Sequence, residues 1–196
     1  MILPLILLLL AMLHAGRTGM ASLFAMQAGG ALDSWTLSKV KPRSDEIRKS
    51  LYALETAIWL DSGNPSFLEN LARLRMVEAE TDQAHKEIHL RAALSAIRQA
   101  IALRPVSPYS WGILLVAKSR LNEIDPEFYR ALANATFLGP WEPEVQLEVA
   151  RAGIEHWGRM DFQQREDVRK DISRAMKWHS DDIKRIVFSR QCGYCP

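Results

Sequence analysis

The run from Ala93 to Pro143, ALSAIRQAIALRPVSPYSWGILLVAKSRLNEIDPEFYRALANATFLGPWEP, decides the fold. It opens on an alanine-rich stretch in which Ala93, Ile97 and Ala100 recur at helical spacing. One face is therefore apolar, and its residues are small enough for antiparallel helices to approach closely. Pro105 ends that stretch, Tyr109 and Trp111 open the next, and Pro140 closes a return helix thirty-five residues after Pro105. A recurrence of this length, with proline and an aromatic residue at its joints, is the period of a helical-hairpin repeat. One hairpin cannot bury both of its apolar faces, whereas stacked hairpins can.

The flanking sequence continues the pattern. Upstream, Ser44-Asp45-Glu46-Ile47 reads as a helix start with acids in its first turn. Ile47, Leu51, Leu54 and Ile58 then line one face up to the Asp61–Pro65 break. Pro65 opens a helix to about Glu80, the extra residues within 81–92 imply a lengthened turn or elongated helices, and Ile88–Leu103 forms the partner helix. Downstream, Asn122–Pro126 is a turn, and Phe128, Leu132 and Ala135 mark the return helix. Pro143, Gln163 and Ser180 lie near the starts of three more helical segments, the last running through Ile183–Phe188. The expectation is an all-α domain over residues 45–190, an N-terminal segment over 1–44 and a short tail over 191–196.

Residues 1–44 are of a different kind. MILPLILLLLAML is an apolar run broken only by Pro4, and a second mostly apolar stretch runs from Met20 to Leu32. The first run alone has the length of a signal-peptide core, below the roughly 20 residues of a full span. No Lys or Arg precedes it and no strong A-x-A site follows. We expect a retained single membrane helix that continues past Arg17, with that residue reaching toward headgroups and Trp35 at an interface. A removed signal peptide is the alternative.

The chain carries 25 Lys and Arg against 23 acids, a formal charge of +2. That balance excludes nucleic acid as the main partner, since binding a phosphate backbone needs a concentrated basic surface.

Several constellations were weighed for chemistry. Asp82, His85 and His89 would share one face of a continuous helix and could hold a divalent ion. The segment His85-Lys86-Glu87-Ile88-His89 lacks the H-E-x-x-H order, and a solvated face is the preferred reading, with no metal and no cofactor. Cys192 and Cys195 form a C-x-x-C in the tail, read as a local disulfide or an inert tail; a thiol- or metal-dependent enzyme is the alternative. No phosphate loop, nucleophile elbow or dinucleotide fingerprint occurs. His156 has no evident nucleophile or acid partner in sequence. Trp111 and Trp157 are expected between helices, and Trp141 in an exposed turn.

Residues 45–158 resemble degenerate tetratricopeptide repeats, with agreement at Ala57, Leu71, Ala72, Ala93, Ile97, Ala100, Pro105, Trp111 and Ala135, and departures at Ser62, Leu115 and Phe128. The resemblance implies a right-handed, antiparallel helix-hairpin solenoid behind the N-terminal membrane helix. In it, residues 45–60 are a lone second helix, 65–104 and 108–139 are full hairpins, and a further one begins at Pro143. The combination RPVSPYSW, IDPEFYRAL and LGPWEPEVQL is similar to the VpsP-type family encoded with bacterial exopolysaccharide and capsule machinery. That implies a non-enzymatic scaffold on the bacterial inner membrane, its helical domain periplasmic, whose partners are proteins of polysaccharide synthesis or export; a generic envelope-assembly adaptor is the alternative. In the repeat family the first helix of each hairpin lines the partner groove. By position this assigns Glu69, Arg73 and Met76, then Tyr109, Gly112, Val116, Ser119 and Arg120, then Leu147, Arg151 and Glu155.

Overall fold

The computed structural model describes residues 2–38 and 40–189; Cys192 and Cys195 lie outside them. Among the described residues every regular element is helical, and the chain divides into two units, Met1–Leu103 and Arg104–Pro196.

The N-terminal unit begins with α1 (Ile2–Ser38), one helix of 37 residues. Its single proline, Pro4, sits in the first turn, where the missing amide costs no hydrogen bond. The side chains from Leu3 to Leu13 are exposed on all sides. From Ala21 onward the same helix becomes part of a core: Ala21, Ala25, Ala28 and Leu32 are buried and pack with Ile47, Leu51, Leu54 and Ala57 of α2 (Ser44–Leu60). Met20–Leu32 was expected to share the character of the anchor. It is instead the first helix of a hairpin with α2, so residues 45–60 are not a lone helix. The physical reason is the 4-3-4 spacing of those four residues, which places small side chains on one stripe. Trp35, expected at a membrane interface, packs against this core.

The second hairpin comprises α3 (Pro65–Thr81) and α4 (Lys86–Leu103), joined by a 3-10 turn over Gln83–His85. It lies on the first hairpin with α3 beside α1: Arg73 pairs with Asp33 at 3.8 Å, and a Cβ on Gly29 would sit 3.6 Å from the Asn70 amide nitrogen. Both pairs advance in the same chain direction, so α1 and α3 run parallel. Arg75 joins α3 to α2 through Glu55 at 3.0 Å.

The C-terminal unit contains α5 (Pro108–Leu121), α6 (Pro126–Leu138), α7 (Pro143–Glu155), α8 (Phe162–Ala175) and α9 (Ser180–Ser189). Proline starts α3, α5, α6 and α7, where its fixed φ and missing amide suit a first turn. Side chains finish the caps: Asp125 accepts from the Glu127 and Phe128 amides at 3.0 Å, and Asp161 with Gln164 forms a capping box on α8. Asn122 ends α5 in the left-handed conformation, φ 57°, a role its short amide side chain tolerates. Leu115 and Phe128, the departures from the repeat pattern, are wholly buried and fill the centre of this unit.

Successive hairpins here are joined at similar sequence offsets. Tyr109 bonds Glu142, Thr136 bonds Asp171, Ser119 bonds Glu155 and Arg159 bonds Asn122, pairs separated by 33, 35, 36 and 37 residues. Helix α7 thus lies parallel to α5, and α8 repeats the position of α6.

Close approach is achieved at Gly153, where a Cβ would meet the Val168 side chain of α8 at 2.4 Å. Gly153→Ala is therefore expected to destabilise the protein by about 1–3 kcal/mol in urea denaturation through overpacking. Gly158→Ala, at a position with open space around it, should lie within about 0.5 kcal/mol of wild type.

Candidate functional site

The residues assigned to a groove by position fall into both units and differ in exposure. On α3, Glu69 and Met76 are buried and Arg73 is half-buried against Asp33. On α5, Gly112, Val116 and Ser119 are buried: Gly112 faces the Glu148 carboxylate, and Ser119 reaches Glu155 and His156. Gly112 and Ser119 thus form a helix contact with α7, and all three are covered by protein. Arg120 and Leu147 are half-buried, while Tyr109, Arg151 and Glu155 are exposed. Tyr109 donates its hydroxyl hydrogen to Glu142. The open members of the assigned set thus lie toward opposite ends of the α5–α7 contact, Tyr109 beside Glu142 and Glu155 beside Ser119.

That contact assembles a group the sequence did not reveal. Ser119 Oγ lies 2.9 Å from His156 Nε2 and donates to Glu155 Oε2 at 3.0 Å. Serine and histidine are both under one-tenth exposed, and His156 also packs edge-on against Phe128 with ring centroids 5.4 Å apart. The composition is that of a hydrolase triad, but the contacts are ordered differently: the Glu155 carboxylate meets the serine hydroxyl itself. A serine hydroxyl has one proton to share between Glu155 and His156 Nε2. In an acyl-transfer triad the acid orients the imidazole, and the imidazole accepts from the serine. The group here is a polar clasp between α5 and α7.

A second buried polar group fixes the turn from α5 to α6. The Lys118 side chain is 1% exposed, and its ammonium contacts Asp125 at 2.8 Å, Glu127 at 2.9 Å and Glu123 at 3.4 Å. Burial works against the lysine charge, yet hydrogen bonds to Asp125 and Glu127 outweigh it and raise its pKa above the usual value. Burial likewise opposes ionisation of Asp125. Hydrogen bonds from Lys118 and the Phe128 amide prevail and hold its carboxyl below the usual range. Asp171, 1% exposed by side chain, shifts the other way: burial raises it despite hydrogen bonds from Thr136 and Arg174.

The Asp82 group is not on a continuous helix. Asp82 ends α3, His85 lies in the 3-10 turn and His89 on α4. The two imidazoles hydrogen-bond one carboxylate oxygen, at 3.2 Å from His89 and 2.9 Å from His85, which holds Asp82 below its usual pKa. His89 Nδ1 faces Glu78 at 3.0 Å. Among the described residues no three His, Cys, Asp or Glu side chains are arranged to hold a metal. The tryptophans separate as well. Trp111 donates its indole N–H to the Pro105 carbonyl at 2.8 Å, and Trp157 carries the Arg165 and Arg169 guanidiniums 5.8 and 5.4 Å from its centre. Trp141 is 87% exposed. Between α8 and α9 lies a mostly apolar cavity of about 560 Å³, lined by Ile172, Met176, Ile183, Val187 and Phe188 with Arg169 and Lys184 beside them.

The ion cluster gives an asymmetric expectation. Asp125→Asn with Glu127→Gln keeps the α6 cap but leaves a buried ammonium nearly alone, and should cost about 3–5 kcal/mol at neutral pH. Lys118→Met leaves carboxylates whose side chains are 30–46% exposed and can be solvated, so its cost should stay below about 2 kcal/mol. Because the folded-state pKa of Asp125 is depressed, its contribution is present at neutral pH and lost as pH falls through that value; urea midpoints of wild type against pH should show the decline. Compared with family models, curated proteins and solved structures, the chain gives no match in any of the three.

Proposed function

We propose that this protein is a membrane-tethered, non-enzymatic adaptor of the bacterial cell envelope, of tetratricopeptide-like build. It supports exopolysaccharide or capsule biosynthesis or export by binding other proteins on the periplasmic side of the inner membrane.

The observation that carries the tether is α1. It is the one helix among the described residues long and apolar enough to cross a bilayer, and it runs without interruption into the packed core. Support for the repeat reading comes from the offset of 33–37 residues between bonded partners on successive hairpins of the C-terminal unit, close to the tetratricopeptide period. Support for a binding rather than a chemical role comes from the burial of Ser119 and His156 in the α5–α7 contact, where each is under one-tenth exposed. The link to polysaccharide rests on the similarity of RPVSPYSW, IDPEFYRAL and LGPWEPEVQL to the VpsP-type family.

The test is genetic. Cells lacking the protein are expected to secrete less exopolysaccharide, and the full chain should restore it. A version with residues 2–16 exchanged for a cleavable export leader should fold yet fail to restore output. Unchanged polymer in the deletion strain contradicts the polysaccharide role; full restoration by the released version contradicts the tether.

A further inference from the structure

The geometry points to a lipid-facing end on the N-terminal unit: the end formed by the last turns of α2 and α4 rests in the headgroup layer of the bilayer that α1 crosses. This inference rests on the reading of α1 as a membrane span.

The apolar run of α1 closes at Arg17, which marks the level of the bilayer surface. Four residues farther on, about 6 Å at 1.5 Å per residue, lies Ala21. Ala21 already belongs to the packed core, at 0% exposure. No spacer separates bilayer from domain.

Helix α2 runs back along α1 and delivers its C-terminus to this level. Arg17 Nη2 donates to the Leu60 carbonyl at 3.1 Å, filling one of the acceptors that a helix end leaves open. The guanidinium that closes the apolar run is thus bound to protein, where a headgroup contact had been expected. Beside it Trp59 is 78% exposed, and an indole with an apolar body and one N–H suits a membrane interface. Helix α4, antiparallel to α3, returns to the same end and finishes at Leu103, 49% exposed.

The two ends of the unit differ in charge. The α2–α3 turn at the lipid-facing end, Asp61–Asn64, has one ionisable side chain, Asp61. The opposite end gathers Arg43, Asp45 and Glu46 at the start of α2 and Asp82, Lys86 and Glu87 at the α3–α4 connection. One end is fit for a lipid headgroup layer and the other for water.

The experiment places single nitroxide labels on the full chain carrying Cys192→Ser and Cys195→Ser, at Leu9→Cys, Trp59→Cys and Ile88→Cys. All three positions are exposed, so labelling spares the core. The protein is reconstituted in phosphatidylethanolamine–phosphatidylglycerol vesicles, and collisions with oxygen and with a water-soluble nickel chelate are compared. Oxygen should dominate at position 9 and nickel at position 88, with position 59 showing nickel collisions several-fold below position 88. Equal nickel access at 59 and 88, with 9 still in lipid, overturns the seating and leaves the span intact. Nickel dominance at position 9 overturns the span itself, and the seating with it.

Discussion

Alanine at the helix contacts is the constraint on which both units depend. Ala21, Ala25 and Ala28 of α1 share a core with Ala53 and Ala57 of α2, and Ala72, Ala79, Ala93, Ala96 and Ala100 are buried on α3 and α4. In the C-terminal unit Ala117, Ala131, Ala135, Ala150, Ala152 and Ala175 are buried in the same way. Each methyl removes little area from water, so the individual contribution is below that of a leucine. What the small residues permit is close backbone approach, and with it dense dispersion contact along whole helices. Interfaces of this kind have little room to yield, and Gly112 and Gly153 mark where even a methyl meets another side chain.

The same constraint defines how the exposed apolar start of α1 is joined to the packed helices. A helix that buried large side chains on α2 would stand farther from it and show a distinct amphipathic pattern. With alanine at the contact, α1 is mostly apolar from Leu3 to Leu13 and again from Met20 to Leu32. The exposed apolar segment and the packed half of α1 are a single rod. No linker separates them.

Much of the fold was legible in the sequence. Proline at first-turn positions located the starts of α3 and α7, and apolar periodicity over residues 47–58 and 93–100 located the buried faces of α2 and α4. The second half of α1 was misread because apolarity alone does not distinguish a lipid-facing helix from one buried by protein. The 4-3-4 spacing of Ala21, Ala25, Ala28 and Leu32 was the available signal. The polar groups were harder to see. Ser119 and His156 meet across 37 residues, and only the repeat offset could have paired them. Lys118 sat in an apolar run as a lone charge, and the acids of the following turn, Glu123, Asp125 and Glu127, were the clue to its burial. On α5, Gly112 and Ser119, assigned to a groove by position, are buried because α7 lies against them.

The central claim is that α1 is one continuous helix shared between membrane segment and domain. Amide hydrogen exchange of the full chain in lipid nanodiscs tests it most directly. The account predicts that residues 18–35 are protected as strongly as Ile47–Ala57 of α2, with no fast-exchanging break after Gly16. Rapid exchange across residues 17–35 beside a protected α2 would contradict it, because the stretch would then be a linker and the core would have to close without it.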